Sequence, residues 1–451
     1  MGAGAERRAT CRHLIPLTLA SHLMNDRRTF LKQAGLLAAA LPLTGPLLPA
    51  AHAATAPPAT ASDWAAFRNL FELDPAYAHF ANFLITSHPR PVREAIEALR
   101  ARFDRHPARM VDWDSQSEWK HEAAVREWAA RYLEVTPRQI ALTGSTTEGL
   151  GLIYGGLKIA PGQEILTTVH EHSAARHTMG FRTLRDGTPV HRLRLFDDPA
   201  KVTSDQVLAT IAAAIGPKTR VLGMTWVHSG SGVKLPVGEI GALVREVNRQ
   251  RDEQDQIIYV IDGVHGFGVE DMRFADLNCD YFIAGTHKWM FGPRGTGIIC
   301  AASTELKQLN PTIATFSENE DFATVMTPGG YHAFEHRWAL GKAFELHLQL
   351  GKAAVQARIH GLNGYLRQRL EALPGVDLVT PRSTQYSAGF TFFRVTGRDA
   401  DEVARYLNSQ RIVVDAVSRD VGPVVRTAPG LLNTEAEIER LVEMLKRYLR
   451  A

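Results

Sequence analysis

Seven short apolar runs, at 140–144, 164–169, 191–195, 219–227, 257–262, 280–285 and 297–302, recur along the chain with helical segments between them. A run of this length rich in β-branched residues reads as a strand buried on both faces, and strands alternating with helices imply a layered α/β domain around a mostly parallel sheet. Ligands in such sheets sit outside the carboxyl ends of the strands. Polar residues gather at those ends here: Ser145, Thr146 and Thr147, then His172, His228 with Ser229, Asp262 with His265, and His287 with Lys288. At 451 residues the chain is long enough for a second domain. Helices are expected over 91–103, 118–133, 399–410 and from Thr434 onward, with a long helical stretch from Phe334 to about 373 broken near Gly361 and Gly364. Strand-like runs fall at 389–395 and 411–414, and 304–333 reads as loop.

The gathered residues suit one another chemically. A lysine at a strand end is useful if its amine loses a proton, because the neutral amine forms a Schiff base with an aldehyde or ketone. Asp262 ends a continuous apolar run, and 140–150 reads as strand, hydroxyl-rich turn and helix start, an anion site made of backbone N–H groups and threonine hydroxyls. Pyridoxal phosphate needs this set: a lysine for its aldehyde, a carboxylate for its pyridinium nitrogen, and donors for its phosphate.

The ordered segments Thr146-Thr147-Glu148-Gly149, Glu171-His172, Asp262-x-x-His265, Thr286-His287-Lys288 and Arg426-Thr-Ala-Pro-Gly resemble the class V aminotransferase family of pyridoxal-phosphate enzymes, and Lys288-Trp289 before Gly-Pro-Arg-Gly-Thr-Gly is closest to its isopenicillin N epimerase-like branch. The resemblance runs from about residue 75 to the end. It implies the fold type I transferase architecture: a large domain over 97–330 with a seven-stranded sheet, a smaller α+β domain over 331–451, and a segment over 62–96 packing with the small domain. It implies Lys288 as the cofactor lysine and α-proton base, Asp262 on the pyridine nitrogen, and His172 stacked on the ring. Ser145, Thr146, Thr147, Ser229 and His287 would hold the cofactor with His265 at its phenolic oxygen. Arg426 would grip the substrate carboxylate, with Asn82 beside it. Arg337 would stand in for a threonine that reaches the partner subunit's phosphate in cysteine desulfurases. A homodimer with sites at the interface is implied. The reaction, on an amino acid, stays open among epimerase, lyase and aminotransferase. Desulfurases carry a nucleophilic cysteine shortly before the arginine matching Arg426; 413–420 has none, which disfavours persulfide chemistry.

Residues 1–54 differ in kind. Arg27-Arg28-Thr-Phe-Leu-Lys, an Ala/Leu-rich stretch broken by prolines, and Ala51-His-Ala53 resemble a twin-arginine signal peptide followed by a linker, implying passage through the twin-arginine export machinery to a periplasmic or secreted location; residues 1–23 lie upstream of that signal, and whether translation starts before them or at Met24 stays open. Residues 1–53 hold six of the 51 Lys/Arg and two of the 48 Asp/Glu, leaving 45 against 46. A near-neutral remainder gives no basic face for nucleic acid. Cys279 and Cys300 read as small buried hydrophobes, their pairing open. Two rival readings remain: a metal-dependent hydrolase using the His170, His172 and His177 cluster, and a non-catalytic binding protein, against which Lys288, Asp262 and Arg426 argue. Gly292-Pro-Arg-Gly-Thr-Gly297 departs from a dinucleotide loop and precedes a strand, so no Rossmann site is expected.

Overall fold

The computed structural model describes residues 61–111, 117–316 and 321–450; the arginine-pair leader lies outside them. Residues 56–451 form one compact unit. Its strands are β1 (Ala78–His79), β2 (Ile140–Thr143), β3 (Glu164–Thr168), β4 (Val190–Leu193), β5 (Thr219–Thr225), β6 (Ile258–Asp262), β7 (Tyr281–Gly285), β8 (Gly297–Ala301), β9 (Val376–Leu378), β10 (Thr391–Val395), β11 (Ile412–Val413), β12 (Asp415–Arg419) and β13 (Gly422–Thr427). Its longer helices are α1 (Ala61–Arg68), α2 (Arg90–Arg105), α3 (Ser117–Leu133), α4 (Thr146–Gly156), α5 (Ser173–Asp186), α6 (Ser204–Ala214), α7 (Val237–Asn248), α8 (Phe334–Leu350), α9 (Lys352–Glu371), α10 (Ala400–Ser409) and α11 (Glu435–Arg450).

The seven expected strands form one sheet in the order β2-β8-β7-β6-β5-β3-β4. Pairing is parallel from β7 through β4, and β8 runs antiparallel to both its neighbours. Every residue of β5, β6, β7 and β8 is buried, which is why these segments are apolar without alternation. Edge strand β4 is half-exposed, so its pattern is mixed and it starts one residue earlier than the apolar run. Helix α4 packs on β7 and helix α5 on α4, and Gly187, at φ 75°, closes α5.

A second, antiparallel sheet runs β12-β13-β10-β9, backed by α9, α10 and α11 around a core of Leu366, Phe393, Leu407 and Leu441. Strand β1 pairs in parallel with β11. Two expectations are revised here. The long helical stretch breaks at Gly351, which takes φ 82° between α8 and α9, whereas Gly361 and Gly364 lie inside α9, which runs unbroken through them with open space beside both. The strand-like run expected over 411–414 extends further than that, through the β12–β13 hairpin, whose half-exposed first strand carries no alternation to betray it. No helix among the described residues is long and apolar enough to cross a membrane.

Candidate active site

At the carboxyl ends of β2, β5, β6 and β7 lies a cleft of ≈ 110 Å³ lined by Ser145, Thr146, Thr147, His172, Thr225, Ser229, Asp262, His265, His287 and Lys288. Residues from five separate chain segments thus converge. Ser145 caps α4, its hydroxyl accepting from the Glu148 amide at 3.1 Å, which leaves the first N–H groups of that helix facing the cleft. The Thr146 hydroxyl accepts from the Gly285 amide at 2.7 Å, and the His287 ring donates from Nδ1 to the Thr296 carbonyl at 3.3 Å. A Cβ on Gly285 would lie 2.9 Å from the Thr146 Oγ1 and 3.0 Å from the His287 ring, so the glycine lets these donors close up.

Asp262 is buried at the end of β6, its Oδ1 accepting from the Val264 amide at 3.2 Å. Burial pushes its carboxyl up to about 6, against the pull of that N–H and of Lys288. Burial also brings the Lys288 amine down to about 8, opposed by Asp262 and assisted by Arg426 and Arg419. His172 caps α5, its Nδ1 accepting from the Ala174 amide; burial and then the charges of Arg419, Lys288, Arg426 and Arg176 lower it to about 4, leaving a neutral ring. His265 Nε2 stands 3.5 Å from the Lys288 Nζ. Its Nδ1 accepts from the Trp289 indole at 3.2 Å, and because an indole nitrogen only donates, the neutral ring carries its proton on Nε2, toward the cleft.

Arg426 does not itself line the cleft but is buried beside Ser229 and over the Phe83 ring, donating from Nη1 to the Ser229 carbonyl at 2.9 Å and from Nη2 to Asp415. Its fork is therefore already occupied on two arms. Asn82 is not brought into the cleft; its amide donates to the His79 carbonyl at 3.0 Å. Arg337 is buried against Glu122 at 3.0 Å, in a pair that also holds Arg126, and so is not free to reach a partner's phosphate. Nor is His170 free to ligate: Nδ1 meets Asp420, Nε2 accepts from the Leu195 amide, and the ring stacks on Phe196. His177 is exposed, and no metal-holding cluster of His, Cys, Asp and Glu occurs among the described residues. Cys279 and Cys300 are buried free thiols.

Four contributors escaped the sequence. Thr86 donates from its hydroxyl to the carbonyls of His287 at 3.2 Å and Lys288 at 3.1 Å, pinning the lysine turn from a distant loop. Thr225 lines the cleft and binds Glu171, whose buried carboxyl is raised to about 7. Trp289 sets the His265 tautomer, and Arg419 donates to the Ser229 hydroxyl at 2.6 Å. Only the Trp289 neighbour of the lysine carried any local signal.

The donor set fits pyridoxal phosphate. An amine of lowered basicity, a buried carboxylate at a strand end, and a helix N-terminus beside two threonines and an imidazole meet around one cleft.

The class V aminotransferase family model matches residues 85–441. The chain is 29% identical over 405 residues to an isopenicillin N epimerase of Amycolatopsis lactamdurans, covering 86% of this chain and 98% of that relative. It is 28% identical over 408 residues to an isopenicillin N epimerase of Streptomyces clavuligerus, covering 85% and 98%. Among solved structures, a cysteine desulfurase from Thermococcus onnurineus NA1 superposes with a TM-score of 0.74 at 20% identity, covering 86% of this chain and 98% of that one, which shows the shared fold. With its seven-stranded sheet, its lysine at the end of β7 and a family match spanning most of its length, the chain belongs to the class V aminotransferases, a family of pyridoxal-phosphate-dependent enzymes.

Proposed function

We propose that the protein removes and returns the α-proton of an amino acid, a reaction of the epimerase kind, with Lys288 as the base. The observation that carries this is the lowered Lys288 amine beside Asp262 and His265. With a pKa of about 8, about a tenth of the amine is neutral at pH 7, against well under a thousandth for an ordinary lysine. The named epimerases cover nearly their full length in this chain, and 411–426 offers no cysteine for sulfur transfer.

Ser145, Thr146, Thr147 and His287 would hold the cofactor's phosphate, Asp262 its pyridine nitrogen, His265 its phenolic oxygen through Nε2–H, and Lys288 its aldehyde carbon. When bound, pyridoxal phosphate supplies an aldehyde for amines and a ring that accepts electron density from the substrate α-carbon. Asp262, ionised at neutral pH, would set its negative charge beside the ring nitrogen and favour a proton there. Lys288 Nζ takes the α-proton and gives it back, and neutral His172, whose Nδ1 already accepts from the Ala174 amide, carries its proton on Nε2 and presents a donor there. Arg426 anchors the substrate carboxylate. Ser229 orients Arg426 through its carbonyl.

Export by the twin-arginine route, a periplasmic or secreted location, a homodimer and a division near residue 330 belong to the same reading. Arg27-Arg28 and the following apolar stretch support export, and Phe181 and Leu184, 63% and 84% exposed on α5, support a second copy. The test is an absorption spectrum of the purified protein and of Lys288→Ala, with borohydride, followed by amino-acid incubations in deuterated water. A visible band that borohydride removes and the variant lacks, with solvent deuterium entering the α-position of one amino acid and its configuration scrambled, is expected. No band after adding pyridoxal phosphate would overturn the reading.

A further inference from the structure

We propose that Arg419 is a second anion-binding side chain of the cleft and that, with Arg426, it selects an amino acid bearing two carboxylates. This rests on the reading that the cleft takes an amino acid.

Arg419 and Arg426 both reach Ser229, one through its hydroxyl at 2.6 Å and the other through its carbonyl at 2.9 Å. Two guanidiniums thus converge on a single residue that lines the cleft. Like charges so placed repel, and an anion between or beside them relieves the repulsion. The nearby carboxylates are already taken: Asp415 by Arg426, Asp420 by His170, Asp262 by the Val264 amide, and Glu171 by Thr168 and Thr225. Arg419 forms no ion pair among the described residues, and its one hydrogen bond is to the neutral Ser229 hydroxyl.

Position divides the roles. Arg426 is 5% exposed, deep over Phe83, and suits the α-carboxylate. Arg419 ends β12 at the hairpin turn, half-buried and so nearer the solvent than Arg426, which suits it to a carboxylate at the end of a side chain. The turn is held in place by the Asp420 contact to His170, and Gly230 permits the close passage: a Cβ there would lie 3.4 Å from the Arg419 Cδ and 2.9 Å from Asp420. Arg419 is also the leading charge acting on His172 and contributes at Lys288 and His265, so its field reaches the lysine that does the chemistry.

The probes are glutarate and valerate, inert acids of equal carbon number with two and one carboxylates, titrated calorimetrically into the cofactor-loaded enzyme. A charge-assisted pair to Arg419 predicts glutarate binding about tenfold or more tighter than valerate. In Arg419→Gln the preference falls to within about twofold while valerate affinity is unchanged, and Arg419→Lys, which keeps the charge, retains most of it. No preference in the unmodified enzyme, an equal loss for both acids in Arg419→Gln, or a preference in Arg419→Lys as low as in Arg419→Gln would overturn the proposal. Failure of the protein to hold pyridoxal phosphate would instead strike the functional reading, because the cofactor band and the carboxylate preference are measured separately.

Discussion

Lys288 should destabilise the cofactor-free protein, and the size of the effect follows from its surroundings. Burial lowers its amine from the ordinary 10.5 to about 8, so the unfolded chain binds a proton that the native state gives up across that interval. The stability of the unmodified apoprotein should therefore rise as pH climbs from about 8 to about 10.5, and below about pH 8 the full penalty applies. A change of this size is worth about 3 kcal/mol. Lys288→Met keeps the length and apolar stem without the charge, so at pH 7 it should be more stable than the unmodified apoprotein by up to about 3 kcal/mol, less whatever Asp262 loses with its partner. Urea unfolding of both apoproteins at pH 7, 8, 9 and 10 provides the assay. The difference should shrink steadily above pH 8. A difference constant across that range, or a methionine variant less stable at pH 7 than at pH 10 relative to its parent, would refute the account of Lys288 as a desolvated cation.

Glu122→Gln removes the carboxylate shared by Arg126 and Arg337, all three buried, and should destabilise by about 3 kcal/mol or more in denaturant titration, because two guanidiniums would be left without an anion. Trp289→Phe removes the indole donor to His265 Nδ1 while keeping an aromatic ring; the visible cofactor band should persist but titrate at a shifted pH, and an unchanged titration would show that the tautomer is not fixed by Trp289.

How much could be read from the chain varied by residue. Lys288, Asp262, His265 and His287 follow apolar runs directly, so their place at strand ends was legible from sequence, as was the Ser145 cap ahead of α4. Thr86 was not, since its contact to the Lys288 carbonyl spans 202 positions and nothing local marks it. Asn82 was placed on the substrate side by resemblance, and the structure turns its amide to His79. Arg337 sits in a helix whose neighbour Glu122 is far away in sequence, so its burial as an ion-paired core residue could not be read locally.

The sequence by itself determined the parallel sheet, because strands buried on both faces must be apolar throughout, and it determined the lysine, carboxylate and hydroxyl set, because each sits beside the strand or helix end that presents it. Tertiary structure alone decided which arginine is ion-paired to a carboxylate of this chain. Arg426 and Arg419 look alike in the chain, yet the β12–β13 register sets Asp415 opposite Arg426 and leaves Arg419 on a neutral hydroxyl. Charge pairing depends on distances of a few ångströms between segments far apart in sequence, and only the folded chain sets those distances.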